Sequence, residues 1–304
     1  MAVIETTDLT KIYGKKIGCE KIYLSVGEGQ VFGFLGPNGA GKSTFVKMLV
    51  GLIAPTSGSA KLLGEPIGNI KMRRRIGFLP ENFRYQDWLT GNELLHYHAA
   101  LAHVPKEKRA ERIRDAFNVV KLEGAGDAKI RTYSKGMQQR IGIAAALVGD
   151  PDLLFLDEPT SALDPIGRME VREIITSLRD RGKAVFLNSH LLSEIEMVCD
   201  EVAIIKSGRI VKSGSLDELL KNKIEVEITA TNLNGALSQT VSRFGKVVAD
   251  DGLHYVVELE REEDVPELAA LIIKSGGQLY NLSHKKLSLE ELFVTTIQGG
   301  DASC

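Results

Sequence analysis

The chain has 304 residues, enough for one large domain and a smaller one, and its 43% hydrophobic and 26% charged content is ordinary for a globular protein. A net charge of −2 argues against a dedicated nucleic-acid binder, and no nucleic-acid partner is expected. Three widely spaced cysteines, Cys19, Cys199 and Cys304, form no CxxC or Cys/His cluster, so neither a disulfide framework nor zinc is implied and a reducing cytosol is the simplest home.

The N-terminal MAVIETTDLTKIYG carries acid early and lacks a basic-then-apolar leader pattern, and no apolar run approaches the roughly 20 residues that span a bilayer. Any membrane role is therefore expected to come through a partner. Residues 21–26 and 30–35 read as strands. The second runs directly into Gly36-Pro37-Asn38-Gly39-Ala40-Gly41-Lys42-Ser43-Thr44, after which residues 45–51 read as a helix. Strand, glycine-rich loop and helix are the context in which G-x-x-x-x-G-K-[ST] binds phosphate. Gly36, Gly39 and Gly41 let the backbone turn its N–H groups inward, and the helix adds its positive N-terminal end. Lys42 supplies a point charge for the β- and γ-phosphates, Ser43 a hydroxyl for Mg²⁺, and Thr44 a donor on the α-phosphate side.

Further along, Arg73-Arg74-Arg75 is a charge run on an expected helix, read as a solvated face. Residues 76–80 are strand-like and end before Glu81. The pattern then turns helical: Thr90-Gly91-Asn92-Glu93 is a capping box, and Pro105 opens a second, charged helix. Ser134, followed by Gly136 in YSKGMQQR, is an N-cap whose long helix would present an anion-binding end. Residues 153–157 form an apolar run closing on an acid, the pattern of a parallel strand buried on both faces that emerges at the sheet's carboxyl edge. Asp157 is thereby placed to hold Mg²⁺ through its water, and Glu158 to take a proton from an attacking water. Asp164-Pro165 reads as an N-cap with proline in the first turn. His190 sits just past the end of the strand-like residues 184–187.

The remainder alternates more evenly. Residues 201–206 and 209–212 form a hairpin around Ser207-Gly208, and Ser215 to Glu218 is another capping box. From 224 onward the order is strand (224–230), helix (235–244), strands (246–249 and 254–259), helix (265–274) and strand (278–282), a small ferredoxin-like α+β module. Ser288 to Glu291 caps a last short helix, and residues 299–304 are expected to be a disordered tail.

GPNGAGKST, YSKGMQQR, LLFLDEPTSALDP and Asn188-Ser189-His190 resemble the Walker A, signature, Walker B with D-loop, and switch-histidine motifs of the ATP-binding cassette (ABC) family, in order and spacing over roughly residues 2–220. The resemblance implies an α/β P-loop NTPase core with antiparallel-β and helical subdomains, the helical one at about 82–150 within a nucleotide-binding domain of 1–222. The α+β accessory domain would then occupy 223–298. It also implies ATP and Mg²⁺ as ligands, ATP hydrolysis, and two cassettes packed head to tail. Tyr13 would stack on adenine, Ser134 and Gly136 would reach the γ-phosphate held by the other chain, His190 would contact it in its own chain, and Asp164 would link the two sites.

The sequence departs from the family's commonest pattern twice. The signature usually reads LSGGQ, whereas Lys135 and Met137 stand at its third and fifth positions. Glu81 stands where a glutamine usually links metal to membrane partner; a carboxylate there can still meet Mg²⁺-bound water, but only as an acceptor. Both changes resemble the branch that serves bacterial exporters with separately encoded membrane subunits. The expectation is thus a homodimeric ATPase on the cytoplasmic face of the cell membrane, acting through a transmembrane permease. An importer ATPase, or a soluble cassette serving as an assembly scaffold, is the alternative.

Overall fold

The computed structural model describes residues 1–220, 224–232, 245–259, 261–285 and 287–299. They form two compact units, one of residues 1–216 with 293–299 and one of residues 217–292, and the last helix is Leu289–Gly299.

The first unit opens with two long strands, β1 (Ala2–Tyr13) and β2 (Lys16–Gly27), paired antiparallel. Then follow β3 (Val31–Leu35), α1 (Lys42–Leu49), β4 (Ser57–Leu62), β5 (Glu65–Pro66), α2 (Ile70–Arg73) and β6 (Ile76–Leu79). Three helices, α3 (Gly91–Leu101), α4 (Lys106–Val119) and α5 (Lys135–Leu147), precede β7 (Leu153–Asp157). The unit continues with α6 (Pro165–Asp180), β8 (Ala184–Asn188), α7 (Leu192–Val198), β9 (Glu201–Lys206) and β10 (Arg209–Ser215).

These strands form two sheets. One is antiparallel in the order β2-β1-β4-β5; the other has six strands in the order β10-β9-β3-β8-β7-β6, parallel except for β10. Every residue of β3, β7 and β8 is buried, as continuous apolar strands covered on both faces must be. At the centre, Phe186 meets Phe32, Phe34, Phe45 and Phe155 at ring-centroid distances of 5.6, 5.6, 6.1 and 5.4 Å. This aromatic cluster ties α1 to three neighbouring parallel strands, so the phosphate-loop helix is seated directly on the sheet. The helix starts at Lys42, three residues before the expected Phe45, because Gly41 at φ 110° turns the chain into it. It ends before Gly51, which lies at φ 74°.

Three of the expected helix starts are built as read. Thr90 and Glu93 form a reciprocal capping box, Ser134 accepts from Met137 N–H at the start of α5, and Asp164 accepts from Gly167 N–H before Pro165. The arginine run is exposed, as a solvated face is expected to be, and two of its members make surface contacts. Arg75 lies beyond α2 and pairs with Asp152 at 2.7 Å, while Arg73 donates to the Gly51 carbonyl at 3.3 Å.

In the second unit, β11 (Ile224–Thr231), β12 (Gly245–Asp250), β13 (His254–Leu259) and β14 (Gln278–Lys285) form an antiparallel sheet in the order β12-β13-β11-β14. Numbered within the unit, that is 2-3-1-4, the ferredoxin-like order with each crossover skipping one strand. Val226, Ile228, Tyr255 and Val257 face the helix Val265–Lys274, whose Leu268 and Ile272 complete a separate core. The expected helix at 235–244 and most of the expected tail, residues 300–304, lie outside the described residues, whereas Gly299 closes the last helix. Among the described residues no helix is long and apolar enough to cross a membrane.

Candidate active site

The carboxyl ends of β3, β7 and β8 open on one side of the parallel sheet, and the loops leaving them surround a cavity of about 500 Å³. Tyr13, Asn38, Gly39, Gly41, Lys42, Ser43, Thr44, Glu81, Glu158 and His190 all line it, so residues read from five separate stretches of sequence meet there.

The loop before α1 is shaped by glycine at two points. A Cβ at Gly36 would stand 2.4 Å from the Ile205 carbonyl, and one at Gly41 would stand 2.1 Å from the Gly18 carbonyl. Pro37, Asn38 and Gly39 are exposed at its tip, while Ala40 is buried. Lys42 is buried and its Nζ donates to the Gly36 carbonyl at 2.7 Å and more weakly to Pro37 at 3.4 Å. Burial lowers the Lys42 pKa below its ordinary value, against the opposing pull of Glu158, Asp157 and Glu81.

Asp157 is buried at the end of β7. Burial raises its pKa, reinforced by Glu81 and Glu158 and opposed by a hydrogen bond from Asn188. The next residue, Glu158, has φ 54°, and this left-handed turn swings it out of the strand. Its Oε2 lies 2.7 Å from His190 Nδ1, while its N–H donates to the Asn188 carbonyl at 2.8 Å. Glu158 is 9% exposed and His190 about half exposed, so the pair spans from the sheet edge to the cavity mouth.

Ser134 and Gly136 are not among the cavity's lining residues; they sit at the N-terminal end of α5, with Ser134 exposed. Asp164 is likewise elsewhere, exposed at the start of α6. The structure therefore collects one part of the expected residue set in a single cavity, leaves Gly36, Pro37, Ala40 and Asp157 outside its lining, and places Ser134, Gly136 and Asp164 elsewhere.

Among the described residues, no group of three or more His, Cys, Asp or Glu side chains could hold a metal ion alone. The oxygens available around Lys42, from Ser43, Asp157 and Glu81, are hard donors, the kind that suit Mg²⁺ when substrate phosphates and waters complete the shell.

The sequence of this chain matches a family model described as ABC transporter over residues 19–161. It is 40% identical to an uncharacterized ABC transporter ATP-binding protein of Nostoc sp., covering 99% of this chain and 92% of that one. The chain belongs to the ABC transporter family. It is 36% identical to the bacitracin transport ATP-binding protein BcrA of Bacillus licheniformis, over 98% of each chain. It is 34% identical to the Nod factor export ATP-binding protein I of Cupriavidus metallidurans, over 96% of each. Among solved structures, an ATP-binding subunit of an ABC transporter matches with a TM-score of 0.65 and 28% identity, covering 71% of this chain and 91% of that one. A dimeric ATP-binding cassette in a post-hydrolysis state with ADP and Pi matches with a TM-score of 0.64 and 25% identity, over 70% and 98%. This protein is accordingly the ATP-binding subunit of an ABC transporter and an ATPase, with the P-loop fold expected from its motifs.

Two groups of residues in this ABC site escaped the sequence. Lys16, Ile17 and Gly18 line the cavity beside Tyr13, on a turn and strand start with no motif of their own. Asn188 also lines it, yet in the sequence it is only the residue two before the switch histidine.

Proposed function

We propose that this ATPase subunit works as a homodimer in which each cavity is completed by the second copy, and that it drives a separately encoded permease outward. The observation that carries this reading is the separation of Ser134 and Gly136 from the cavity that gathers Lys42, Glu158 and His190. A helix N-terminus with an exposed hydroxyl is suited to an anion brought from outside its own chain. Because one sequence holds both halves, a two-fold dimer has two complete sites.

Within each site, the loop of Gly36 to Thr44 wraps the phosphates, with Pro37, Asn38 and Ala40 contributing backbone, and Lys42 exchanges its loop carbonyls for phosphate oxygen. Tyr13 stacks on adenine. Ser43, Asp157 and Glu81 are the residues that would hold Mg²⁺, which when bound neutralises phosphate charge. Glu158 accepts the proton of the attacking water, and His190, hydrogen-bonded to Glu158, meets the γ-phosphate. The partner's copies of Ser134 and Gly136 close the site, and Asp164 lies between the two. ATP favours the closed pair through the contacts that only that state makes, and hydrolysis removes them.

Outward transport is supported by the relatives named for bacitracin transport and Nod factor export, and by Lys135, Met137 and Glu81 in the sequence. Peripheral attachment to the cytoplasmic membrane face follows from such a partner. Copurification from detergent-solubilised membranes tests it: a polytopic partner is the expected companion, and a purely soluble complex overturns the transport assignment. Light scattering with ATP bound tests the dimer, which a persistent monomer would refute.

A further inference from the structure

Asn188 is the last residue of β8, opposite Asp157 at the end of β7 in the parallel register. It is 1% exposed, yet it is one of the residues lining the cavity with Ser43, Glu81 and Glu158. Its Nδ2 donates to Asp157 Oδ1. Chemistry fixes that orientation, because a carboxylate accepts and the amide nitrogen is the group able to donate. The amide oxygen is therefore turned away from Asp157. Asn188 Oδ1 is buried and has no hydrogen-bond partner within the protein.

A buried acceptor without a donor costs free energy, so one that lines a ligand cavity is suited to a donor arriving with the ligand. The side chain that faces Asp157 and lines the cavity is a strand-end residue with little freedom to turn elsewhere. A water bound to a cation is a donor of the required kind: its lone pair is engaged by the ion, leaving two O–H groups to find acceptors. Lys42 Nζ donates to the Gly36 and Pro37 carbonyls and makes no hydrogen bond to Asn188 Oδ1.

We infer that Asn188 is a positioning residue of the metal–nucleotide site, aligning the Asp157 carboxylate through its amide N–H and accepting, through Oδ1, a hydrogen bond from a water held by the nucleotide's divalent cation. The inference rests on the proposed Mg²⁺–ATP site and deepens it. Its logic is that of ligand-orienting hydrogen bonds around metals, whose loss costs roughly 10- to 100-fold in metal affinity.

The test separates the nucleotide from the ion. In full-length protein, ATP-analogue binding is measured by fluorescence in EDTA, and Mn²⁺ binding to the nucleotide-loaded protein by electron paramagnetic resonance. Asn188→Leu, near in volume, removes both polar atoms. It should leave binding in EDTA within about threefold while weakening Mn²⁺ by roughly tenfold or more. Asn188→Thr keeps a hydroxyl that can donate to Asp157 and accept, and it should recover part of the loss. Folding of each variant is checked by circular dichroism; should the leucine variant fail to fold, the threonine variant, expected at a severalfold loss of Mn²⁺ affinity, carries the test. Unchanged Mn²⁺ affinity in a folded variant overturns the inference, as does an equal loss in EDTA. Failure of the unaltered protein to bind the analogue at all would instead overturn the nucleotide site itself.

Discussion

Glu158 Oε2 and His190 Nδ1 lie 2.7 Å apart, a contact made possible because Glu158 turns out of β7 at φ 54° just as the chain leaves β8 two residues before His190. The two side chains meet at the cavity, which both of them line. Replacing Glu158 with Gln preserves shape and the chance of a hydrogen bond to His190 but removes the base. ATP binding should stay within a few fold, steady-state phosphate release should fall by at least roughly 10²-fold, and ATP-loaded dimers should accumulate on a sizing column. Normal turnover in Glu158→Gln would take Glu158 out of the base role.

How much of this was visible in the sequence depended on how locally each feature is encoded. The phosphate loop and the Asp157–Glu158 strand end are contiguous, with backbone requirements that leave few alternatives, and both appear where read. β1 carries no clear strand pattern in the sequence. Its alternation is broken by register shifts, by Asp8 at φ 52°, and by Thr6 and Thr10, which are buried polar residues 5% and 6% exposed. Thr6 satisfies its hydroxyl on the Ile22 carbonyl across the sheet, a partner sixteen residues away that no local pattern announces. Asn188 is of the same kind. Its partner Asp157 is 31 residues distant, and only the β7–β8 pairing brings them together.

Gly41 is a position where backbone and space both require glycine. It adopts φ 110° and a Cβ would meet the Gly18 carbonyl at 2.1 Å, a backbone atom that cannot swing aside. Gly41→Ala should therefore displace the loop from β2 and weaken nucleotide binding by on the order of 100-fold or more, with a measurable fall in melting temperature. Gly39→Ala, where φ is 80° but no atom lies within 4 Å, should lose about 1–2 kcal/mol through strain alone. Equal effects of the two substitutions would show that crowding against Gly18 is unimportant.

Phe186 bridges β8 to four other aromatic rings, so truncating it removes contacts on several sides at once. Phe186→Ala should cost the first unit about 3–5 kcal/mol in urea denaturation. The second unit has its own core, so its transition should keep its midpoint. A loss below about 1 kcal/mol would mean that the cluster repacks without a cavity.

Cys19 sits beneath the phosphate loop, and its Sγ donates to the Gly41 carbonyl at 3.2 Å. Burial pushes its thiol up to about 12, so at pH 8 only about one molecule in ten thousand carries the reactive thiolate. Maleimide labelling of the Cys19 peptide, followed by mass spectrometry, should be negligible over an hour in the folded protein and complete in denaturant. Fast labelling at pH 8 without denaturant would contradict this environment.

Lys42 gives the site a pH dependence whose sign can be worked out. Burial lowers its pKa in the free protein below 10.5, while phosphate binding favours the ammonium and raises it again. Between those two values, binding takes up a proton, so ATP affinity should fall as pH rises, beginning below 10.5. Folding has the opposite dependence: the unfolded chain holds that proton more firmly, so the Lys42 contribution to stability grows with pH across the same window. Calorimetry in buffers of differing ionisation enthalpy should register the proton uptake above neutrality. Lys42→Met should abolish that uptake and weaken ATP by roughly 1.5–3 kcal/mol, the size of a charge-assisted hydrogen bond. An affinity that stays level to pH 10.5 in the unaltered protein would mean that the loop carbonyls and neighbouring carboxylates hold the ammonium as firmly as water does.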